Sequence, residues 1–468
     1  MRNDIPRVVI GAVSSGSGKT TIVTGILSAL RQRGLNVQSY KIGPDYIDPG
    51  YHKLASGNPA HNLDSWLMPQ EKLKEVFCRT AEDADIAIIE GVMGLYDGGR
   101  KGVSSTAEIA KLLDAPVILV IDAKSMGASA AAIALGFKMY DPEVKLAGVI
   151  LNRLGSPTHK SMIENALKNI GIDVFGAVRR DDSLVMPERH LGLLPVEENE
   201  EQEIVDKIGE AVGNQVDLDE IMKLAETQFS IDIDEIEEDN ENEDIPQKKI
   251  KIAVAKDDAF SFYYPESIRM LEKCGAEIVN FSPLKDKKLP KCDGVILGGG
   301  FPEMFAEELQ ANVSMQESLR KAVNKGKPVY AECGGFMYLT EGLTDFEDVF
   351  HPMTGIIPVK VQMNKKLQMV GYVEAKMELS TVLGEKDTVI KGHEFHFSSE
   401  IAEENKDMQG FERAFTFTRM RNNATYPAGF VRDNVLGSYL HIHFIGCPES
   451  AQYFVDKCRE NRRKRKKE

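Results

Sequence analysis

The sequence has no closely spaced cysteine pair, no long apolar run and no excess of positive charge. Its six cysteines (Cys78, Cys274, Cys292, Cys333, Cys447 and Cys458) are scattered, and no CxxC occurs. That pattern fits reduced thiols and argues against a disulfide or zinc framework. The longest apolar stretches, such as APVILVIDA, are strand-sized, well short of a membrane span. The opening MRNDIPRVVIGAV has no apolar h-region or small-residue cleavage site, so no signal peptide is expected. Acidic residues outnumber basic ones by 72 to 57, which argues against general binding to nucleic acid or to an anionic membrane. Together these absences predict a soluble cytoplasmic protein.

At 468 residues the chain is longer than one hydrophobic core usually serves, so two domains are expected. VVIGAV, ADIAIIEG, APVILVIDA and KLAGVILN read as buried parallel strands alternating with helices or loops, an α/β pattern spanning residues 1–196. Residues 197–248, with IDIDEIEEDNENEDIPQ, turn acidic and lose aromatics, and read as a solvated interdomain linker. A second α/β pattern follows over 249–448: KIAVAK, AEIVNFSP and DGVILGGG read as strands and PESIRMLEKCG as a helix. Residues 449–468 end in RENRRKRKKE, a basic tail whose default reading is a frayed, solvated end. No internal repeat is found.

SSGSGKTT follows the first strand and opens a helix whose apolar residues Ile22, Val23, Ile26, Leu27 and Leu30 share one face, with Gly34 as its C-terminal stop. Strand, glycine turn, Lys-Thr and helix are what a phosphate cradle requires. Ser15, Gly16, Ser17, Gly18, Lys19, Thr20 and Thr21 would present backbone N–H groups and the helix N-terminus to the phosphates of ATP. Lys19 would reach the outer phosphates, and the Thr20 hydroxyl would ligate Mg²⁺. One departure is Val13, which stands where the usual pattern has glycine. Phosphoryl transfer also needs carboxylates at strand ends. Glu90 closes ADIAIIEG, and KIGPDYIDPGYH supplies Lys41, Asp45, Tyr46 and Asp48 in a loop punctuated by proline and glycine.

In the second half, YAECGGFMYLT sets a lone cysteine, Cys333, on a strand-to-helix turn before two glycines. SSGSGKTT, KIGPDYIDPGYH, EGVMGLYDGG and PERHLGLLP, followed by GGGFPE, ECGGFMYL, GHEFHFSSE and SYLHIHF, together resemble the cobyrinic acid a,c-diamide synthases in order along nearly the whole chain. The resemblance implies a dethiobiotin-synthetase-like ATPase domain joined to a class I-like glutamine amidotransferase domain. It also implies ATP- and glutamine-dependent amidation of the a and c carboxylates of a corrin, with ATP and Mg²⁺ as cofactors and L-glutamine as nitrogen donor.

On that resemblance Asp45 and Glu90 join Thr20 in holding the metal, and Lys41, Tyr46 and Asp48 lie near the acceptor carboxylate. Asn152 resembles an adenine-contacting position. Cys333 resembles the glutaminase nucleophile, with the helix N-terminus favouring its thiolate. Gly298, Gly299, Gly300 and Phe301 would supply oxyanion amides, and His441 would be the base. His441 and His443 would face the same side of a strand, so spacing does not choose between them; the resemblance chooses His441. Many class I amidotransferases carry glutamate two residues after this histidine. Here that residue is His443, and the group orienting His441 stays open, as do the roles of His393 and His396. A protected ammonia route between the domains is a further expectation. The rival readings are a Ni-sirohydrochlorin a,c-diamide synthase, a cobyric acid synthase and a ParA/MinD-like ATPase switch. The oligomeric state is open, a homodimer included.

Overall fold

Six consecutive buried residues, Arg7–Ala12, form the central strand β1. A strand buried on both faces needs no polar alternation, which is why VVIGA reads as a continuous apolar run. Around β1 lie β2 (Val37–Ile42), β3 (His61–Leu63), β4 (Ile86–Glu90), β5 (Val117–Asp122), β6 (Leu146–Leu154) and β7 (Asp173–Arg179), in the order β3-β2-β4-β1-β5-β6-β7. Every pairing is parallel. The computed structural model describes residues 2–181, 198–226, 230–232, 249–401 and 406–465. PERHLGLLP and most of the acidic stretch lie outside them.

Helix α1 (Lys19–Gln32) buries the expected stripe, Ile22, Val23, Ile26, Leu27 and Leu30, against this sheet, at roughly 1.5–3 kcal/mol per side chain. It ends where Gly34 takes φ +86° and the Leu35 N–H reaches back to Leu30 O at 3.3 Å. The segment read as a linker begins instead with two helices, Glu198–Gly213 and Leu218–Glu226. Val205, Ile208 and Val212 of the first, and Leu218, Ile221 and Ala225 of the second, belong to the same apolar core as α1. The contact is tight: a Cβ on Gly25 of α1 would lie 2.5 Å from Val212. An apolar stripe recurring every three to four residues outweighs the acidic composition around it.

The described residues up to 232 form one compact unit, and those from 249 form another. In the second unit, strands Ala276–Phe281, Ile250–Ala255, Gly294–Leu297, Val329–Glu332 and Val435–Ser438 pair in parallel, in that spatial order. Antiparallel strands Thr425–Arg432, Glu412–Arg419, Met369–Met377, Val389–His396 and His441–Ile442 extend the sheet beyond Val435–Ser438. A separate sheet of four short strands flanks it. Helix Pro448–Arg465 occupies the stretch read as a frayed tail. Ala451, Phe454, Val455 and Cys458 are fully buried in the core, and Arg462 and Arg465 reach Asp293 at 3.4 and 3.1 Å. The basic residues cap a packed helix.

Candidate active site

Two clusters of chemistry-bearing residues stand at the carboxyl ends of parallel strands, one in each unit. In the first, the phosphate loop leaves β1 with its left-handed turns on Gly16 (φ +77°) and Gly18 (φ +82°). Val13 is still tied to the sheet through its N–H to Val120 O at 3.2 Å and has no positive φ, so glycine is not needed there. A Cβ on Gly18 would strike Asn152 Nδ2 at 2.2 Å. Asn152 donates that amide to Ser17 O (2.9 Å) and accepts from the Arg153 N–H through Oδ1 (2.9 Å). Asn152 thereby braces the phosphate loop, with a second amide hydrogen and a second Oδ1 lone pair remaining for other partners. Arg153 adds a bond to Gly16 O at 2.9 Å and an ion pair with Asp122 at 2.6 Å.

Lys41 and Glu90 are register partners on β2 and β4. Lys41 Nζ donates to Glu90 Oε1 at 2.8 Å and to Asp48 Oδ2 at 2.6 Å, and Thr20 Oγ1 donates to the same two carboxylates at 2.8 and 3.3 Å. His52 Nε2 lies 2.6 Å from Glu90 Oε2. Burial alone would raise the Glu90 carboxyl, yet Lys41, His52 and Lys19 hold it well below the usual carboxylate range. Burial likewise opposes the Lys41 charge, but Glu90 and Asp48 overcome it and keep the ammonium protonated. Asp48 is pushed up to about 6, by burial first, against the pull of Lys41. Lys19 is lowered to about 8 by burial and then by Lys41, and its ammonium donates to Met93 O at 3.2 Å.

The structure thus brings together Lys19, Thr20, Lys41, Asp48 and Glu90. It does not bring Asp45 into that hydrogen-bonded set, since Asp45 Oδ1 accepts from the amides of Ile47 (2.7 Å) and Asp48 (3.3 Å) and shapes its own loop. Tyr46, next to it, is half-buried. His52 was missed, although Asp48 and His52 are one turn apart at the start of helix α2 (Asp48–Ser56) and so share a face. Among the described residues there is no cage of three or more Asp, Glu, His or Cys. The hard oxygens of Thr20, Glu90 and Asp48 suit Mg²⁺ all the same, because that ion commonly takes one or two carboxylates and completes its shell with phosphates and water.

In the second unit Cys333 stands between strand Val329–Glu332 and helix Gly334–Leu339 with φ +44° and ψ −102°, a conformation costing about 1–3 kcal/mol for a residue with a side chain. Its N–H is fixed to Ser438 O at 2.7 Å, and the Gly335 N–H is fixed to Gly298 O at 3.0 Å. The paired glycines follow from crowding: a Cβ at 335 would meet Leu297 O at 2.2 Å, and one at 334 would lie 3.0 Å from Gly300 N. The elbow and the GGG loop therefore adjoin. The Phe301 N–H, expected among the oxyanion donors, is instead given to Ala259 O at 2.9 Å. Tyr263 anchors the start of that loop, its hydroxyl accepting from the Gly298 N–H at 2.8 Å.

His441 is buried with its Cε1 edge against Gly299, where a Cβ would approach to 2.6 Å. Its ring stacks on His393, centroids 4.9 Å apart and planes 11° apart, and the two are register partners. His393 is held well below its ordinary range, first by burial and then by His441, so it is neutral, and its Nε2 meets Tyr264 OH at 3.0 Å. His443 packs against Tyr264, and His396 lies flat on Tyr439 at 3.8 Å. Burial, and after it Glu303, pushes the Cys333 thiol far up. The Gly334 N–H at the start of the helix acts in the opposite sense, towards thiolate. Glu332 was also missed. It stands 3.6 Å from His441 Nδ1, and a carboxylate ending the otherwise apolar strand VYAE was the available signal.

A nucleotide-binding α/β unit with a phosphate loop, joined to a unit whose cysteine elbow adjoins a glycine loop with a buried histidine against it, defines a glutamine-dependent amidating enzyme. Residues 8–194 match the CobQ/CobB/MinD/ParA nucleotide binding domain, and residues 251–448 match the CobB/CobQ-like glutamine amidotransferase domain. The chain is 42% identical over 456 residues to a cobyrinate a,c-diamide synthase of Caldanaerobacter subterraneus, covering 96% of this chain and 98% of that protein. One from Dehalococcoides mccartyi is 44% identical (97% and 98% covered), and one from Archaeoglobus fulgidus is 42% identical (97% and 98%). The chain belongs to the cobyrinate a,c-diamide synthase family.

Proposed function

We propose that this enzyme amidates the a and c carboxylates of cobyrinic acid, with ATP as activator and glutamine as nitrogen source. The observation carrying the choice of acceptor is the likeness, across both domains and nearly the full length, to proteins named for that reaction. A carboxylate does not take up ammonia directly, since its oxygen is too poor a leaving group. In the first unit the acceptor carboxylate attacks the γ-phosphorus of ATP, ADP leaves, and an acyl phosphate forms. Ammonia then adds to the carbonyl and inorganic phosphate departs. Lys19 and the amides of Ser15–Thr21 hold the phosphates. Thr20 and Glu90 would hold Mg²⁺, which supplies charge neutralisation at the transferring phosphoryl group when bound. Lys41, kept cationic by Glu90 and Asp48, would orient the incoming carboxylate, and Tyr46 of the following loop would contact it.

In the second unit Cys333 gives its proton to His441 as Sγ bonds the side-chain carbonyl carbon of glutamine. The oxyanion lies at the Gly299–Gly300 amides. On collapse the nitrogen takes the proton back from His441 and leaves as ammonia, and water hydrolyses the glutamyl thioester to glutamate. Because the Cys333 thiol is held protonated by burial, transfer to His441 belongs to the reaction step itself.

The deciding experiment offers the protein MgATP and glutamine with cobyrinic acid or with Ni-sirohydrochlorin in separate reactions. Products are read by mass spectrometry, with ADP and glutamate counted. Diamide from the corrin, with two ADP and two glutamate per product, is expected. Diamide from the nickel compound alone would overturn the acceptor and keep the chemistry. ATP hydrolysis with neither diamide nor glutaminase activity would favour the switch reading, which has no use for Cys333.

A further inference from the structure

The carboxylate that commonly completes a cysteine–histidine glutaminase pair is not two residues beyond His441, where His443 stands. The His443 ring packs on Tyr264 at 4.7 Å, and its Nδ1 accepts from the Ile445 N–H at 3.3 Å. We propose that Glu332, the residue immediately before the nucleophile, is the positioning residue for His441, so that one strand end delivers both the thiol and the carboxylate that orients its base. The proposal rests on the roles given above to Cys333 and His441.

The geometry supports this from several sides. Glu332 is 8% exposed and His441 is 2% exposed, and Oε2 of the first is 3.6 Å from Nδ1 of the second. That is ion-pair range and slightly beyond a hydrogen bond. The other carboxylate oxygen is pinned: Oε1 accepts the Tyr330 hydroxyl at 2.5 Å and the Ile442 N–H at 3.4 Å. With Oε1 fixed, rotation of the carboxylate is restricted and Oε2 stays directed towards the imidazole. One face of that ring is covered by His393, stacked and neutral, and its Cε1 edge by Gly299. Glu332 is thus the acidic group found at Nδ1. An acceptor there keeps the proton on Nδ1 and leaves the Nε2 lone pair to take the proton of Cys333. Such a residue touches neither glutamine nor the reacting sulfur, so its loss should slow the step without weakening substrate binding.

The test measures glutamine hydrolysis, glutamine-driven amidation and ammonia-driven amidation on full-length protein, with Cys333→Ala and His441→Asn as references. If those two references keep glutaminase activity, the underlying assignment of the pair fails, whatever Glu332 does. If they lose it, Glu332→Gln should lower the glutaminase kcat by about 100-fold or more with KM within about threefold and ammonia-driven amidation unchanged. Tyr330→Phe removes the hydroxyl that pins Oε1 but leaves the carboxylate at Nδ1, and kcat should stay within about tenfold. A kcat for Glu332→Gln within threefold of wild type overturns the proposal, and so does an equal loss in Tyr330→Phe. Should Glu332→Gln fail to fold, Glu332→Asp, which keeps the charge but draws the oxygens back, takes its place. It must lower kcat with KM held, or the proposal falls. Nitrogen NMR of labelled histidine supplies a reading independent of rate: Nδ1 of His441 carries the proton in wild type, and the neutral tautomer mixture shifts towards Nε2–H in Glu332→Gln.

Discussion

Lys41 and Glu90 face one another across neighbouring strands, Nζ to Oε1 at 2.8 Å, with the lysine 4% and the glutamate 0% exposed at the side chain. A pair so deeply buried contributes little net stability as a pair, but each member is costly to leave alone. Lys41→Met is therefore expected to destabilise the first unit by about 3–5 kcal/mol, because Glu90 and Asp48 lose the main counter-charge between them. It should also abolish amidation with either nitrogen source. Thermal melts with both assays check this; an unchanged melting temperature would show that the pair is hydrated and not buried.

Binding of ATP should be linked to proton uptake. Lys19, lowered to about 8, is about half protonated in the free protein at pH 8, whereas the phosphates of bound ATP favour its charged form. ATP is itself fully ionised at that pH, so the protein supplies the change. Calorimetry at pH 8 in two buffers of different ionisation enthalpy should report uptake of up to about half a proton, shrinking towards zero near pH 6.5. The same shift has a consequence for stability. Between pH 8 and 10.5 the unfolded chain holds more protons on Lys19 than the folded one, so this residue makes stability rise with pH across that window.

Separation of the two chemistries is expected from Cys333→Ala. Glutamine-driven amidation should disappear while amidation with high ammonia survives, because the phosphate-loop cluster is untouched. Loss of both activities in a folded variant would sink the division of labour. In the wild type, the buried protonated thiol should alkylate with iodoacetamide more slowly at pH 7 than free cysteine does.

Gly18→Ala should abolish nucleotide binding. The added Cβ meets Asn152 Nδ2 at 2.2 Å and the position demands φ +82°, so the loop must deform. Equilibrium binding of ATP measures the loss. Wild-type affinity would mean that the Asn152 brace is dispensable.

Deleting residues 448–465 should unfold the second unit. Phe454, Val455 and Cys458 are fully buried, and the two larger side chains alone are worth roughly 1.5–3 kcal/mol each. Ending the chain at 465 should leave the melting temperature unchanged.

The phosphate loop and the cysteine elbow were legible because each depends on residues that few other local structures require: glycines at left-handed or crowded positions beside a lysine or a thiol. The strands of the first sheet were legible as apolar runs. The helices at 198–226 and 448–465 were hidden because strong charge masked a true stripe. Val205, Ile208 and Val212 lie within an acidic stretch, and Ala451, Phe454, Val455 and Cys458 precede a basic one. His52 and Glu332 escaped because their partners, Glu90 and His441, are distant in sequence and meet them only through the tertiary fold, which spacing along the chain does not report. Asp45 and Phe301 had the right chemistry at nearly the right place. Asp45 proved to be occupied with amides of its own loop, and the Phe301 N–H with the carbonyl of Ala259.

Cys333 hangs by its N–H from the carbonyl of Ser438, and His441 lies three residues further along that same stretch. Nucleophile and base come from segments more than a hundred residues apart, yet their backbones are tied by a single N–H···O=C hydrogen bond and a four-residue span. A displacement of Ser438 would therefore shift the backbones of Cys333 and His441 in the same direction. The registration of thiol and imidazole thus runs through Ser438–His441 and not through the hundred residues between them in sequence.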